Sequence, residues 1–214
     1  MSPDVRPCSC TATLHEPRFV AVTGGPGAGK TAVLELARRM FCPHVCVLPE
    51  AAGIVYGGGF PRGDRPVLRR AAQRSIFHVQ IQLETIEREE RRAAVVFCDR
   101  GTIDGAAYWP AESQPMWTDL GTTLEAQLER YAAVIHLQTP LDHHGFNHVN
   151  PLRTESPAEA AAIDARIANA WMSHPRRFVI GNDDDFLVKA SRAIALFQQE
   201  IPRCCATTTP APAG

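Results

Sequence analysis

The chain has 214 residues, 45% of them hydrophobic and 21% charged, with a formal net charge of −1. That length supports one domain with a sizeable core, and the composition is that of a folded globular chain, not a disordered or fibrous one. Near-neutral charge gives no reason to expect a nucleic-acid or anionic-membrane partner, and the longest apolar runs are far too short to span a bilayer.

The opening stretch, "MSPDVRPCSCTATLHEP", lacks the apolar segment of a signal peptide. Residues 1–17 are therefore expected to be a disordered leader of a cytoplasmic protein. A first strand is predicted over Arg18 to Thr23, and "GGPGAGKTAVLELA" follows it. The spacing Gly24-x4-Gly29-Lys30-Thr31, between a strand and a helix with Val33, Leu36, Ala37 and Met40 on one stripe, fits a P-loop. Gly24, Gly25, Pro26, Gly27, Ala28 and Gly29 keep side chains out of the turn. Backbone N–H groups can then curl around a phosphate, and the following helix adds its positive N-terminal end. Lys30 is placed to reach the β- and γ-oxygens, and the Thr31 hydroxyl to hold Mg2+.

Four further strands are predicted over Val45–Leu48, Ala94–Cys98, Ala132–Gln138 and Arg177–Gly181, with helical patterns between them. That alternation predicts an α/β domain with a five-stranded parallel sheet. A long helix is expected from Pro66 to about Arg92, with Ile76, Val79, Leu83 and Ile86 as its buried stripe. Its end, "ETIEREERR", offers Glu84–Arg88 and Glu87–Arg91 as solvated i,i+4 pairs. Ser156, Pro157 and Glu159 predict a capped helix start, with Ile163, Ile167, Ala170 and Trp171 as its stripe. The last helix carries Leu187, Ala190, Ile194, Phe197 and Ile201 as expected core. The ordered domain is expected to span 18–203, with a lid at about 141–175 and a flexible tail over 204–214.

Ligands of open α/β sheets sit beyond the carboxyl ends of the strands. Strand two ends at Glu50, and strand three at Asp99 and Arg100. Phosphoryl transfer requires cations, a carboxylate near the metal, and a group that orients or deprotonates the acceptor hydroxyl. Asp99 is the candidate for the Mg2+ shell and Glu50 for the acceptor hydroxyl; a helix cap is the alternative for each. Arg100 touches a phosphate or pairs with Asp99 or Asp104. Asp104 and Tyr108 line an acceptor pocket or serve local packing, and Gln73, Phe77 and Gln80 are candidate pocket residues on the long helix. The turn-rich "GGGFPRGDRP" reads as a second flap or a connector. Between strands four and five, Arg153 and Arg166 are candidates for clamping the transferred group. The spacing of Asp142, His143, His144 and His148 matches no common metal site. Seven cysteines show no paired framework. Cys8 and Cys10 lie in the leader and Cys204 and Cys205 in the tail, while Cys42, Cys46 and Cys98 read as small core residues.

The blocks "TGGPGAGKT", "LPEAA", "CDRGTIDGAAYW", "NPLRTESPAEAAAIDARI" and "HPRRFVI" together resemble the NadR/Ttd-type AAA domain family of P-loop proteins, over about Arg18 to Phe197. The resemblance implies a three-layer P-loop NTPase/kinase-like fold with a helical lid. It assigns Gly24 to Thr31 as the nucleotide loop, Asp99 and Arg100 as the strand-three pair, and Arg153 as the lid arginine. NadR proteins also carry an adenylyltransferase domain, for which no segment is expected here. Strand three ends in Asp-Arg, so the Asp-Glu pair of a hydrolytic motor is missing, and no Asn-Lys-x-Asp guanine-reading motif appears. Two functions follow as expectations. One is a kinase moving the γ-phosphoryl of ATP (or GTP), with Mg2+, to a small nucleoside-like acceptor; the other is a nucleotide-binding regulatory module without turnover.

Overall fold

The computed structural model describes residues 8, 10–140, 156–181 and 185–206. Its elements alternate along the chain: β1 (Arg18–Thr23), α1 (Lys30–Met40), β2 (Val45–Leu48), α2 (Ala51–Gly57), α3 (Pro66–Glu90), β3 (Val95–Asp99), a 3-10 turn (Asp104–Ala107), α4 (Met116–Asp119), α5 (Leu124–Leu128), β4 (Ala133–Leu137), α6 (Pro157–Ala170), β5 (Arg177–Ile180), α7 (Phe186–Glu200) and α8 (Arg203–Ala206). The strands form one sheet in the order β2-β3-β1-β4-β5, and every pair is parallel. This is the expected five-stranded parallel α/β sheet.

Parallel strands covered on both faces are apolar along their whole length. The three central strands follow that rule, with β3 and β4 buried throughout and β1 buried after Arg18. Alternation divides their side chains between two core layers. Val20, Val22, Phe97, Ile135 and Leu137 pack with Val33, Leu34, Ala37, Ala193 and Phe197 of α1 and α7. Phe19, Ala21, Val96, Cys98 and Val134 pack on the opposite face with Ile163, Ile167 and Trp171 of the α6 region. The α6 start is as expected: Ser156 Oγ accepts the Glu159 N–H at 3.3 Å, and Glu159 accepts the Ser156 N–H at 2.8 Å.

Four helical expectations need correction. On α1 Leu36 is exposed, and Leu34 takes its place on the inner face beside Val33 and Ala37. The buried face of α3 is Ala72, Gln73, Phe77, Gln80 and Glu84, whereas Ile86 is 51% exposed. The reason is that α3 covers a cavity along much of its length, where Ile76 lies in the wall, and not only the sheet. Glu84 is fully buried. It accepts the Tyr131 hydroxyl at 2.6 Å and the Gln80 amide at 2.9 Å, and pairs with Arg130. Arg88, its expected partner, lies over the Phe19 ring instead. Leu187 is 76% exposed, because the first turn of α7 buries Lys189 and places Phe186 against Gly29. Ala190, Ile194, Phe197 and Ile201 do lie in the core.

Candidate functional site

The register sets the centre of the site. Val22 pairs with Asp99 and Thr23 with His136, so the loop leaving β1 emerges between the carboxyl ends of β3 and β4. Two glycines admit it there. Gly24 has φ 132, and a Cβ on it would lie 2.0 Å from the Leu137 carbonyl oxygen; a Cβ on Gly25 would lie 2.4 Å from Thr139 Oγ1. The loop then turns into α1, capped by Gly29. Lys30 is buried and donates from Nζ to the Gly24 and Gly25 carbonyls at 2.8 and 2.9 Å. Burial holds its ammonium down to about 8; Arg100 adds to that shift, and Asp99, Glu50 and Asp104 oppose it.

Asp99 is 8% exposed, and its Oδ1 has no hydrogen-bond partner among the described residues. The 3-10 turn that follows has Ile103 at its N-cap, so Asp99 is not its cap. Burial, with the charges of Glu50 and Asp104, raises the Asp99 carboxyl to about 6 against the pull of Lys30 and Arg100. Glu50 stands at the N-cap of α2 without making a side-chain cap, and its Oε1 accepts from Arg100 Nε at 2.6 Å. Arg100 adopts the left-handed φ of 73, and its N–H bonds the Val22 carbonyl at 3.0 Å. From that bend its Nη1 reaches the Gly24 carbonyl and Asp104 Oδ1, both at 3.1 Å. Of the partners proposed for Arg100, Asp104 is the one it pairs with, and Glu50 joins it. Asp104 is buried and also accepts from Thr23 Oγ1, the Gly101 N–H at 3.0 Å and Trp171 Nε1 at 3.0 Å.

A cavity of about 350 Å3 opens beside these groups. Gly27, Lys30 and Thr31 of the loop line it, together with Glu50, Asp99 and Arg100 from the strand ends and Gln73, Phe77, Gln80 and Tyr108. Its volume is within the range of small-molecule sites. Arg62, Gly63 and Asp64 of the turn-rich stretch also line it, and the Arg62 guanidinium lies 4.1 Å from the centre of the Tyr56 ring. The oxygens of Thr31 and Asp99 suit Mg2+, which takes hard oxygen ligands; both residues line the cavity, and the buried Asp99 Oδ1 is an acceptor without a hydrogen-bond partner among the described residues.

Arg166 is turned elsewhere, donating to the Ala107 carbonyl at 2.8 Å. Arg153 and the cluster of Asp142, His143, His144 and His148 lie outside the described residues. Sequence reasoning missed Asp164. Its Oδ1 accepts the Gly25 N–H at 2.6 Å and lies 3.0 Å from His136 Nε2, and its Oδ2 accepts the Thr139 N–H at 3.3 Å. The signal was present: a carboxylate adjoining Ile163 falls in register with the buried Ala160, Ile167 and Trp171.

A parallel sheet with this loop at the tip of its central strand defines the P-loop kinase-like class of folds. The AAA domain family profile matches residues 19–186, and the chain belongs to that family. Its structure is similar to that of the NadR protein in complex with NR, with a TM-score of 0.64 and 15% identity over 94% of this chain and 55% of that one. The chain thus spans about half the length of that protein. It is also similar to deoxyadenosine kinase from M. mycoides with bound dATP, with a TM-score of 0.56 and 12% identity over 84% and 98% of the two chains. The same kinase with products dCMP and a flexible dCDP gives a TM-score of 0.55 at 11% identity, over 85% and 99%. No curated protein matches the sequence. At these identities the likeness to the solved structures is one of fold.

Proposed function

We propose that this protein is an ATP-dependent phosphotransferase acting on a hydroxyl of a nucleoside-like or similar small metabolite. One observation carries the reading: a single cavity is lined by the P-loop residues Gly27, Lys30 and Thr31, by Glu50 and Asp99, and by the amides and rings of Gln73, Gln80, Phe77 and Tyr108. A module that only reported nucleotide occupancy has no need of those further amides and rings in the same cavity.

The chemistry assigned to each residue follows from its place. The P-loop amides and Lys30 hold the triphosphate, and Lys30 must exchange its carbonyl partners for phosphate oxygens on binding. Thr31 and Asp99 would hold Mg2+, which supplies charge neutralisation on the phosphate oxygens. Glu50 accepts the proton of the acceptor hydroxyl as that oxygen bonds to the γ-phosphorus and the bond to the β-phosphate oxygen breaks. Arg100 orients Glu50 through its 2.6 Å hydrogen bond. Gln73 and Gln80 offer amide groups for the polar edge of an acceptor, and Phe77 and Tyr108 offer ring faces. The exposed apolar turn of Phe186, Leu187 and Val188 beside Gly29 suits the base of the donor nucleotide. Arg153 is retained as the proposed lid arginine. Neighbours of the same fold solved with NR, dATP and dCMP support an acceptor of this class.

The test is incubation with Mg2+, ATP or GTP, and a library of nucleosides and related metabolites, read by mass spectrometry. The proposal expects acceptor-dependent diphosphate and a product heavier by one phosphoryl group. Tight nucleotide binding with no acceptor-dependent turnover would favour the regulatory module.

A further inference from the structure

At the end of the sheet away from the P-loop, three distant parts of the chain meet. The ligand atoms of Cys8, Cys42, His44 and Cys205 all lie within 4.8 Å of one another. Cys8 Sγ is 3.3 Å from His44 Nδ1, and Cys205 Sγ is 3.5 Å from the same nitrogen. Cys42 and Cys205 are buried, and Cys8 and His44 half-buried. None of the three cysteines is in a disulfide. We propose that Cys8, Cys42, His44 and Cys205 form a structural zinc-type site that ties both ends of the described chain to the turn between α1 and β2.

Geometry and chemistry agree on the class of ion. Three thiolates and one imidazole are a zinc donor set, with Zn–S near 2.3 Å and Zn–N near 2.0–2.1 Å. In a tetrahedron of those bond lengths, the sulfur-to-nitrogen edge is roughly 3.5 Å. The two measured edges match it. Thiols are weak hydrogen-bond partners, so three of them gain little from crowding one imidazole unless a cation draws them together. Binding releases the three thiol protons and leaves the imidazole neutral, with no change of oxidation state. Four protein ligands fill the shell and leave no place for water or substrate, which makes the site structural and not catalytic. It is also remote from the phosphate loop, since the 11 residues of α1 separate the two by about 16 Å along the helix.

The ligands come from separated segments, so no local spacing reveals them. Cys8 and His44 are 36 positions apart, and His44 and Cys205 are 161. A smaller group, Cys10, His15 and His44, meets the same distance limit and shares His44, but it offers three ligands where the first offers four.

The test uses the full chain purified under reducing conditions. Metal content is measured by mass spectrometry, and the stripped protein is titrated with zinc or with cobalt, whose spectrum reports thiolate ligation and tetrahedral geometry. The expected result is close to one zinc per chain, a tetrahedral cobalt spectrum with thiolate charge transfer, and a Tm about 5 °C or more higher with zinc than without. Cys8→Ser and Cys205→Ser, each shown to be folded by circular dichroism, should lose stoichiometric metal, whereas Cys10→Ser should retain it. The proposal is overturned by absence of zinc and cobalt binding at micromolar metal, or by a disulfide among these cysteines in protein isolated with its thiols trapped. Metal retained in both Cys8→Ser and Cys205→Ser, or lost in Cys10→Ser but kept in Cys205→Ser, overturns it equally.

Discussion

Asp164 of α6 accepts the backbone N–H of Gly25 at 2.6 Å, fastening the helix after β4 to the first turn of the phosphate loop. The same carboxylate contacts His136 and the Thr139 N–H, so one side chain links the loop, β4 and α6. Its partners hold it below the ordinary carboxylate range although burial pushes the other way. Asp164→Asn replaces part of that acceptor set with a donor. It should weaken ATP binding and lower stability by about 1–3 kcal/mol, the scale of a lost buried charged hydrogen bond. Calorimetry and thermal melts check this, and an unchanged Kd and Tm would remove Asp164 from the loop's support.

Asp99 should matter to turnover more than to binding. Asp99→Asn is expected to cut kcat by about a hundredfold or more, with a smaller loss of nucleotide affinity. Because burial raises its carboxyl to about 6, protons compete with magnesium as the pH falls through that value. Wild-type activity should therefore drop below about pH 6, and added Mg2+ should partly restore it. A mutant with wild-type turnover would take Asp99 out of the mechanism.

Lys30 and Lys189 are both lowered to about 8 by burial, from an ordinary value of 10.5. Between those values the unfolded chain binds more protons than the folded one, so the contribution of these groups to stability rises with pH across that window. Triphosphate oxygens favour a charged Lys30, so nucleotide binding at pH 8.5 should take up more protons than at pH 7. Titration calorimetry in buffers of different ionisation heat measures the difference. No rise in uptake would contradict the placement of Lys30 against phosphate.

Gly24→Ala should abolish nucleotide binding. The added Cβ would meet the Leu137 carbonyl at 2.0 Å in a backbone region that L-residues rarely adopt, so the loop must move. Binding at wild-type affinity, with folding intact, would show that the loop tolerates displacement.

The two ends of α7 should respond differently to truncation. Phe197 is buried and stacked on Phe97 with ring centres 4.3 Å apart, and Phe197→Ala should cost about 3–5 kcal/mol. Leu187→Ala, at an exposed position, should stay within about 0.5 kcal/mol. Urea unfolding of the two variants tests the corrected core boundary.

Sequence reasoning succeeded where the signal is local. Strand runs fully buried in a parallel sheet are apolar throughout, and the five predicted strands match β1 to β5 to within a residue or so at each end. The P-loop spacing and the Ser156–Glu159 cap are likewise short-range patterns. The apolar stripe alone failed for α3, whose inner face serves a cavity and the Arg130–Tyr131 pair: Gln73, Phe77 and Gln80 line that cavity, as expected of pocket residues, but Glu84, expected on the solvated face, is buried. Sequence reasoning offered the local partner Asp104 for Arg100, but could not foresee that Arg100 also reaches Glu50, or that Asp164 reaches Gly25 across 139 positions, because those contacts exist only once the strands are ordered in the sheet.

The most direct measurement is calorimetric titration of the protein with magnesium and either ATP or GTP, repeated on Lys30→Ala. The account predicts saturable heat at one site per chain for at least one of the two nucleotides, greatly reduced in the variant. No heat from either nucleotide at millimolar concentration, in protein shown to be folded, would contradict it.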